Sequence, residues 1–326
     1  MARRRRGVAV HGWIALYKES GFSSSQAVQK LLYLTGAAKG GHGGTLDPFA
    51  EGVLPVALGE ATKTVSFVLE GDKHYQCWIQ FGTETDTDDW TGTVTIQSQD
   101  QGQQQPERRV IEQVLHQFTG TIEQQVPLYS AVHIDGERAY RRARRGEVVS
   151  MPVRQVRIDR LSLLDYDANS GLACLDVVCS SGTYIRALSR AIGRAIGTPC
   201  HLRRLVRSGT FGFTLSQTLT LSQIEQKMQQ GSLQEMVLPV DYVLTGMPAL
   251  QLLPDDWHSI KNGREVSLRA SGLPEGVTAG MAVRLMTPDG VFAAVATLLA
   301  GDGQNGSYRC VPKRLFNLSD RVHELS

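Results

Sequence analysis

A glycine-rich segment with a single carboxylate is the first part of the sequence that could do chemistry. Residues 40–55 read GGHGGTLDPFAEGVLP, so His42 and several glycines precede Asp47. Glycine lets a backbone approach another molecule closely, and a carboxylate held at a reacting atom can act as a nucleophile or a base. An Asp before Pro is also a common turn or cap residue. The segment alone leaves both interpretations open.

A second candidate lies at residues 179–193, which read CSSGTYIRALSRAIG. The pattern predicts a strand, a turn and then a helix, with Tyr184 and Arg186 at the edge of a sheet, where active sites gather. An arginine next to Asp47 would keep that carboxylate ionised. The alternative is that Arg186 pairs with a surface acid and Tyr184 packs in the core.

Other site types find little support in the sequence. The glycine-rich segment lacks Gly-Lys-Ser/Thr and does not match the dinucleotide-binding fingerprint. Asp86, Asp88 and Asp89 lack the spacing and the distal glutamate of an EF-hand, which favours a polar turn. No Ser–His–Asp set or histidine cluster stands out, so we expect no metal site.

The composition is ordinary for a globular protein with one large and one small domain: 326 residues, 41% hydrophobic and 20% charged. The five cysteines form no Cys-x-x-Cys pair, which argues against a disulfide framework or zinc finger and for a reducing compartment. No apolar run is long enough to cross a bilayer. We expect a cytoplasmic protein that does not associate with membranes.

Arginine is clustered although the net charge is only +2. Residues 137–146 read ERAYRRARRG and residues 201–207 read HLRRLVR. Such clusters on a near-neutral chain suggest contacts with a polyanion, and a solvated surface is the alternative. For the run Arg3–Arg6 a basic tail is the simpler interpretation.

The pattern of elements favours an α+β fold. Ser23 and Gln26 predict a capped helix up to Gly36, and residues 73–82 alternate like a strand with one buried face. Strands and helices follow without a regular βαβ rhythm. A change in composition near residues 245–248 and a hairpin pattern around residues 288–290 predict a small β domain from residue 247.

The segments quoted above, together with KHYQCWIQFGTETDTDD and VPLYSAVHIDGERAYRRARRG, resemble the bacterial tRNA pseudouridine-55 synthase family of TruB type. The resemblance implies a mixed, mainly antiparallel central sheet flanked by helices over residues 1–246. It also implies an RNA-gripping insertion around residues 125–152 and a small, β-barrel-like PUA RNA-binding domain at residues 247–326.

The same resemblance implies roles for individual residues. Asp47 aligns with the catalytic aspartate, Arg186 with the arginine that pairs with it, and Tyr75 with a tyrosine that stacks on the base and handles a proton. The remaining expected contacts are with the RNA backbone or the target base, and they are His42, Gly43, Gly44, Arg141, Arg142, Tyr184 and Leu205.

The implied activity is isomerisation of uridine to pseudouridine at position 55 in the T loop of tRNA, after the base is flipped into a pocket. It needs no cofactor or obligatory protein partner, and we expect a monomer. A non-catalytic RNA-binding or tRNA-folding protein, or a synthase of a guide-RNA particle, are the alternatives. Whether Asp47 attacks C1′ or C6, or removes the 2′ proton, stays open. The sequence departs from the family pattern at Gly43, where Thr is usual, and at Lys18-Glu19, where Lys-Pro is common.

Overall fold

The fold is described from a computed structural model of the chain. The description covers residues 7–98, 105–130, 132–134, 136–139, 142, 145, 147, 150–301 and 307–318. The helices in these ranges are α1 (Ser24–Thr35), α2 (Val65–Glu70), α3 (Arg108–Leu115), α4 (Ile185–Ile196), α5 (Leu221–Gln229), α6 (Leu233–Met236) and α7 (Pro254–Lys261).

Strands dominate both halves of the chain. In chain order they are β1 (Gly12–Lys18), β2 (Gly40–His42), β3 (Glu51–Leu58), β4 (Lys73–Phe81), β5 (Thr83–Thr85), β6 (Val94–Gln97), β7 (Gly120–Gln125), β8 (His133–Ile134), β9 (Glu137–Arg138), β10 (Val153–Asp167), β11 (Leu172–Cys179), β12 (Cys200–Thr210), β13 (Phe213–Thr214), β14 (Ala249–Gln251), β15 (Val266–Arg269), β16 (Ala282–Met286), β17 (Phe292–Ala300) and β18 (Ser307–Leu315).

The large sheet has the order β1-β3-β12-β4-β11-β10-β7, with β2 added on β3 and β13 on β12. The pairing of β12 with β3 is parallel, and the other pairings are antiparallel. The prediction of an α+β fold with a mixed, mainly antiparallel sheet is therefore confirmed. Strand β12 pairs with β3, which follows the glycine-rich segment, on one side and with β4, which carries Tyr75, on the other.

The predicted helix and the predicted alternating strand are both present. Ser23 caps α1, because its hydroxyl accepts from the backbone N–H of Gln26 at 3.2 Å. The helix ends at Gly36, whose φ of 65° is left-handed. In β4, residues 75, 77, 79 and 81 are buried in the core shared with the helices, as the period of two requires.

The glycine-rich segment begins with a short strand. Its first three residues form β2, in which Gly40 pairs with Leu58 and His42 with Val56. Glycine takes part in this ladder because a strand needs only its backbone groups. The loop that carries Asp47 therefore begins at Gly43, and the strand anchors its N-terminal end.

A second sheet has the order β14-β16-β17-β18-β15. The predicted hairpin is present between β16 and β17, with Gly290 at a φ of 77°. This sheet shares an apolar core with the large sheet: Phe292 and Phe316 belong to the same buried cluster as Trp13 and Phe213. The boundary at residue 247 stays a prediction, and this shared cluster joins residues on both sides of it.

No helix in the described ranges combines the length and the apolar composition needed to cross a bilayer.

Candidate active site

Asp47 and Arg186 form a two-point ion pair. Arg186 Nε donates to Asp47 Oδ2 at 2.9 Å, and Arg186 Nη2 donates to Asp47 Oδ1 at 3.2 Å. The arginine side chain is 4% exposed and the aspartate side chain 33% exposed. A buried planar guanidinium thus fixes the orientation of a carboxylate that still faces open space.

Backbone carbonyls hold the remaining part of the Arg186 guanidinium. Nη1 donates to the carbonyl of Thr87 at 3.0 Å, and Nη2 donates to that of Tyr129 at 2.9 Å. A second carboxylate, Asp89, lies 3.8 Å from Nη1 and is buried. The polar turn that contains Asp89 was not predicted to belong to the site, although it supplies two of these neighbours.

The loop after Asp47 is fastened by a lysine that the sequence did not single out. Lys18 Nζ donates to the carbonyls of Glu19, Pro48 and Ala50 at 3.0, 3.3 and 2.5 Å. Desolvation lowers the pKa of Lys18 to about 8, against the opposing effect of Asp47. On the other side of Asp47, the backbone N–H of Leu46 donates to Ser24 Oγ at 2.8 Å. Asp47 is therefore placed by bonds on both sides.

A cavity of about 280 Å³ opens beside Asp47. This volume is close to the lower end of ligand pockets, about 300 Å³, and suits a single nucleobase. The lining residues are Gly44, Thr45, Leu46, Asp47, Leu69, Lys73, Tyr75, Ser130, Ser180, Ser181, Gly182, Thr183, Tyr184, Ile185, Leu205 and Arg207.

The cavity brings together five of the residues expected from the sequence: Gly44, Asp47, Tyr75, Tyr184 and Leu205. Arg186 does not line it and approaches Asp47 from the protein interior. His42 and Gly43 are also absent from the lining.

Arg207 is a buried site residue, which corrects its sequence-based assignment to a basic cluster at residues 201–207 that contacts a polyanion or faces solvent. It lies opposite Tyr75 in the pairing of β12 with β4 and is 1% exposed. Its Nε donates to the carbonyl of Val53 at 2.8 Å and its Nη2 to that of Gly44 at 3.0 Å. The available signal was its place two residues after Leu205 in a strand, which turns both side chains to the same face.

Burial raises the pKa of Tyr75 to about 12, and the neighbouring Arg207 acts in the opposite direction. The phenol therefore stays protonated at neutral pH.

Tyr184 and Leu205 are held by different means. The backbone N–H of Tyr184 donates to Gln124 Oε1 at 2.7 Å, and Gln124 Nε2 donates to the Tyr184 carbonyl at 3.1 Å. Burial raises the pKa of the Tyr184 phenol. Leu205 is buried and lies opposite Cys77 in β4. One aromatic and one aliphatic side chain thus face the cavity from separate elements.

His42 is half-buried on β2, and its Nδ1 has no hydrogen-bond partner among the described residues. Desolvation lowers its pKa, and nearby Arg207 adds to this effect. Both causes favour the neutral imidazole.

The two glycines after His42 are required for different reasons. Gly44 has a φ of +123°, a conformation that side chains rarely adopt. At Gly43, an added Cβ would lie 2.5 Å from Val68 Cγ1. Val68 therefore fills the space that a larger residue at position 43 would need, which accounts for the departure from the family's usual Thr.

The expected RNA-gripping arginines are only partly within the described residues. Arg141 lies outside them. Arg142 Nε pairs with Glu147 Oε2 at 2.8 Å, and Arg145 pairs with both Glu137 and Glu147 at 2.7 Å. Their contact with phosphates stays a prediction.

Within the described residues, no group of three or more His, Cys, Asp or Glu side chains is arranged to hold a metal ion.

The chain matches the family model described as TruB family pseudouridylate synthase (N terminal domain) over residues 32–185. It is 42% identical over 322 residues to a tRNA pseudouridine synthase B of Bradyrhizobium diazoefficiens, covering 97% of this chain and 88% of the relative. The corresponding protein of Rhodopseudomonas palustris is 39% identical over 321 residues, covering 97% and 83%.

A solved structure also has a similar fold. It is described as an H/ACA RNP bound to a substrate RNA containing 2′-deoxyuridine, and the aligned chain has a TM-score of 0.69 at 20% identity, covering 97% of this chain and 92% of the other. The identity to full-length relatives, more than the shared fold, decides the classification. The chain belongs to the TruB family of pseudouridylate synthases.

Proposed function

We propose that the protein isomerises uridine to pseudouridine at position 55 in the T loop of tRNA. The observation that carries the proposal is the two-point pair between Asp47 and Arg186 beside a cavity for one nucleobase. The names of the full-length relatives support tRNA as the substrate. They do not favour a non-catalytic RNA-binding protein.

The reaction breaks the N1–C1′ bond, turns the uracil and joins C5 to C1′. A base stacked in RNA cannot reach Asp47, so the nucleotide must leave the stack and enter the cavity. Arg186 orients the Asp47 carboxylate through two hydrogen bonds, and the carbonyls of Thr87 and Tyr129 keep the guanidinium in place. Because these groups are already oriented, little reorganisation is needed when the carboxylate acts at the sugar or the ring.

Tyr75 and Leu205 supply the surfaces that hold the flipped uracil. They lie on adjacent strands and both line the cavity. Tyr75 offers a flat face for stacking. Its phenolate, formed when the phenol first gives its own proton to solvent, is proposed to accept the proton that leaves C5. Arg207 favours the phenolate that this step requires, while burial opposes it.

RNA binding extends beyond the cavity in this proposal. Gly43 and Gly44 permit close approach of the backbone, and Tyr184 borders the base. His42, on β2 at the start of the loop, helps to displace the folded T loop.

Arg141 and Arg142, in the insertion around residues 125–152, grip phosphates. Residues 247–326 act as a PUA-like RNA-binding domain. The protein works alone, as a monomer without a cofactor.

The test is to incubate purified protein with an unmodified tRNA transcript and map pseudouridine at single-nucleotide resolution by carbodiimide labelling. We expect one modified site, at position 55, and none with Asp47→Asn. Absence of pseudouridine would support the non-catalytic alternative. Modification at another uridine would contradict the assigned position.

A further inference from the structure

Ser130 has a buried hydroxyl that makes no hydrogen bond to any described residue. The residue is 4% exposed and lines the cavity beside Asp47. The Tyr184 phenol interacts with the Ser130 hydroxyl, but the contact does not reach the distance and angle of a full hydrogen bond. A buried polar group without a partner lowers stability, so its presence in a binding cavity points to a partner that arrives with the ligand.

Several other polar groups of the cavity wall have partners within the protein. Asp47 is bound by Arg186, and Arg207 donates to the carbonyls of Gly44 and Val53. Lys73 Nζ donates to three carbonyls at the end of α2. Ser180 Oγ accepts from the backbone N–H of Arg157 at 3.0 Å. Among the described cavity residues, Ser130 alone has a buried oxygen left unpaired.

The position of Ser130 is fixed relative to the carboxylate. It follows Tyr129, whose carbonyl accepts from Arg186 Nη2 at 2.9 Å, and the same guanidinium holds Asp47. A single arginine therefore sets the distance between the Asp47 carboxylate and the chain at Ser130. A group placed in this way can orient a base relative to Asp47 without moving.

We propose that Ser130 is a base-recognition residue, whose hydroxyl donates a hydrogen bond to a carbonyl oxygen of the flipped uracil. This inference rests on the proposed function and names a contact with its substrate. A serine hydroxyl has one donor and two acceptor positions. It can donate to a uracil carbonyl and still accept from the adjacent N3–H.

The symmetry of the reaction makes a hydroxyl suitable at this point. Turning uracil about the axis through N3 and C6 brings C5 to the place of N1 and exchanges O2 with O4. The N3 edge therefore presents acceptor, donor and acceptor in the same order before and after the turn. Ser130 can bond to one carbonyl in the substrate and to the other in the product, so it holds the ring in both states.

The experiment measures single-turnover rates for wild type and Ser130→Ala on T-arm RNAs that carry uridine, 2-thiouridine or 4-thiouridine at the target position. Sulfur is a weaker hydrogen-bond acceptor than oxygen. On uridine, Ser130→Ala should lower the single-turnover rate about fivefold, the usual scale of one neutral hydrogen bond. In one of the two thio-substrates, sulfur replaces the carbonyl oxygen that Ser130 contacts. On that substrate, the same mutation should lower the single-turnover rate by less than about twofold.

Thermal melting supplies the matched control. Thr210 also has a buried, unpaired hydroxyl but does not line the cavity. Removing either hydroxyl, by Ser130→Ala or Thr210→Val, should leave the melting temperature unchanged or higher. Only Ser130→Ala should slow the reaction. Ser130→Cys, which keeps the size and weakens the donor, should give an intermediate rate.

Two results would overturn the inference. The first is an equal decrease in rate for Ser130→Ala on all three substrates. The second is that Thr210→Val slows the reaction as much as Ser130→Ala does. Either would mean that Ser130 acts through the fold and not through the base. Failure of wild-type protein to modify the uridine RNA would instead refute the proposed function, so the two failures are distinguishable.

Discussion

Arg207 stands directly opposite Tyr75 in the pairing of β12 with β4, which makes a fully buried guanidinium the cationic neighbour of the phenol in the cavity. Burial raises the pKa of Tyr75 to about 12, and Arg207 partly offsets this effect. The proposed proton acceptor is therefore a phenol that is hard to ionise, with a permanent positive charge beside it.

The pH dependence of the reaction should report this phenol. The phenolate fraction rises about tenfold per pH unit below the pKa, so the wild-type single-turnover rate should rise between pH 7 and pH 9. Tyr75→Phe removes the hydroxyl and keeps the ring, so it should lose about 10²-fold or more in rate, with little change in binding. Its remaining rate should not rise in the same way.

Tyr75→Leu separates stacking from proton transfer. It should lose a further ~1–3 kcal/mol of binding free energy for the flipped base, the range for stacking of a base on an aromatic ring. A near-normal rate for Tyr75→Phe would restrict the tyrosine to stacking. Normal rates for both variants, with a lower melting temperature for Leu, would make it a core residue only.

Asp47→Asn should abolish turnover and leave RNA affinity within a few-fold of wild type. The amide keeps the shape of the side chain but cannot act as a nucleophile or base. Single-turnover rate and equilibrium binding on the same RNA check both parts. A near-normal rate would remove Asp47 from the chemistry.

Arg186→Lys should keep the positive charge and lose the two-point geometry with Asp47. A lysine has no planar fork, so we expect a fall of about 10²-fold or more in single-turnover rate with folding retained. Arg157→Lys is the control, because Arg157 pairs with Asp159 at 2.7 Å on an exposed surface. Exposed pairs contribute about 0–1 kcal/mol, so equal effects of the two changes would contradict the proposed role.

The arginines near residue 142 should act through phosphates. Replacing Arg141 and Arg142 by Ala should weaken binding to RNAs of any sequence. The slope of log affinity against log salt concentration should become shallower by about 1 to 2.

Glu147→Gln tests the competition that the structure describes, since Glu147 pairs with both Arg142 and Arg145. It should strengthen RNA binding at low salt. If the salt dependence of binding is unchanged when Arg141 and Arg142 are both replaced, these arginines belong to an ordinary solvated surface.

The C-terminal sheet should unfold together with the large sheet. Phe316 is buried in the cluster that contains Trp13 and Phe213, so Phe316→Ala should destabilise the whole chain by about 3–5 kcal/mol. Leu253→Ala, at a side chain that is 70% exposed, is the control.

Deleting residues from 247 onward would uncover the same apolar surface. We therefore expect a truncated chain of low melting temperature in place of a stable, active core. Two separate thermal transitions in the full chain, only one of them shifted by Phe316→Ala, would contradict this.

Local signals explain which parts of the fold were predictable. The capping pair Ser23 and Gln26 and the alternation in β4 are set by neighbours in sequence, so both were predicted correctly. The pairing of Asp47 with Arg186 joins residues 139 apart. Spacing left it undecided, and the family resemblance supplied it.

Buried cations were missed for a physical reason. Lysine and arginine are mostly exposed in proteins, so Lys18 and Arg207 were not expected inside. Each is buried because backbone carbonyls from distant segments surround its donors, as at Pro48 and Ala50 for Lys18. No local pattern encodes such partners. Likewise, Val68 explains Gly43 only once α2 is seen to lie against the loop.

Arg207 binds the carbonyls of Gly44 and Val53, which lie on either side of Asp47 in the chain. Together with Lys18, it anchors the loop at several points to the strands beneath. A segment tied down in this way has little freedom to close over an incoming molecule. The conformational work of bringing a uridine to Asp47 therefore belongs to the RNA, and an RNA whose loop is already loosened should react faster than one that is tightly folded.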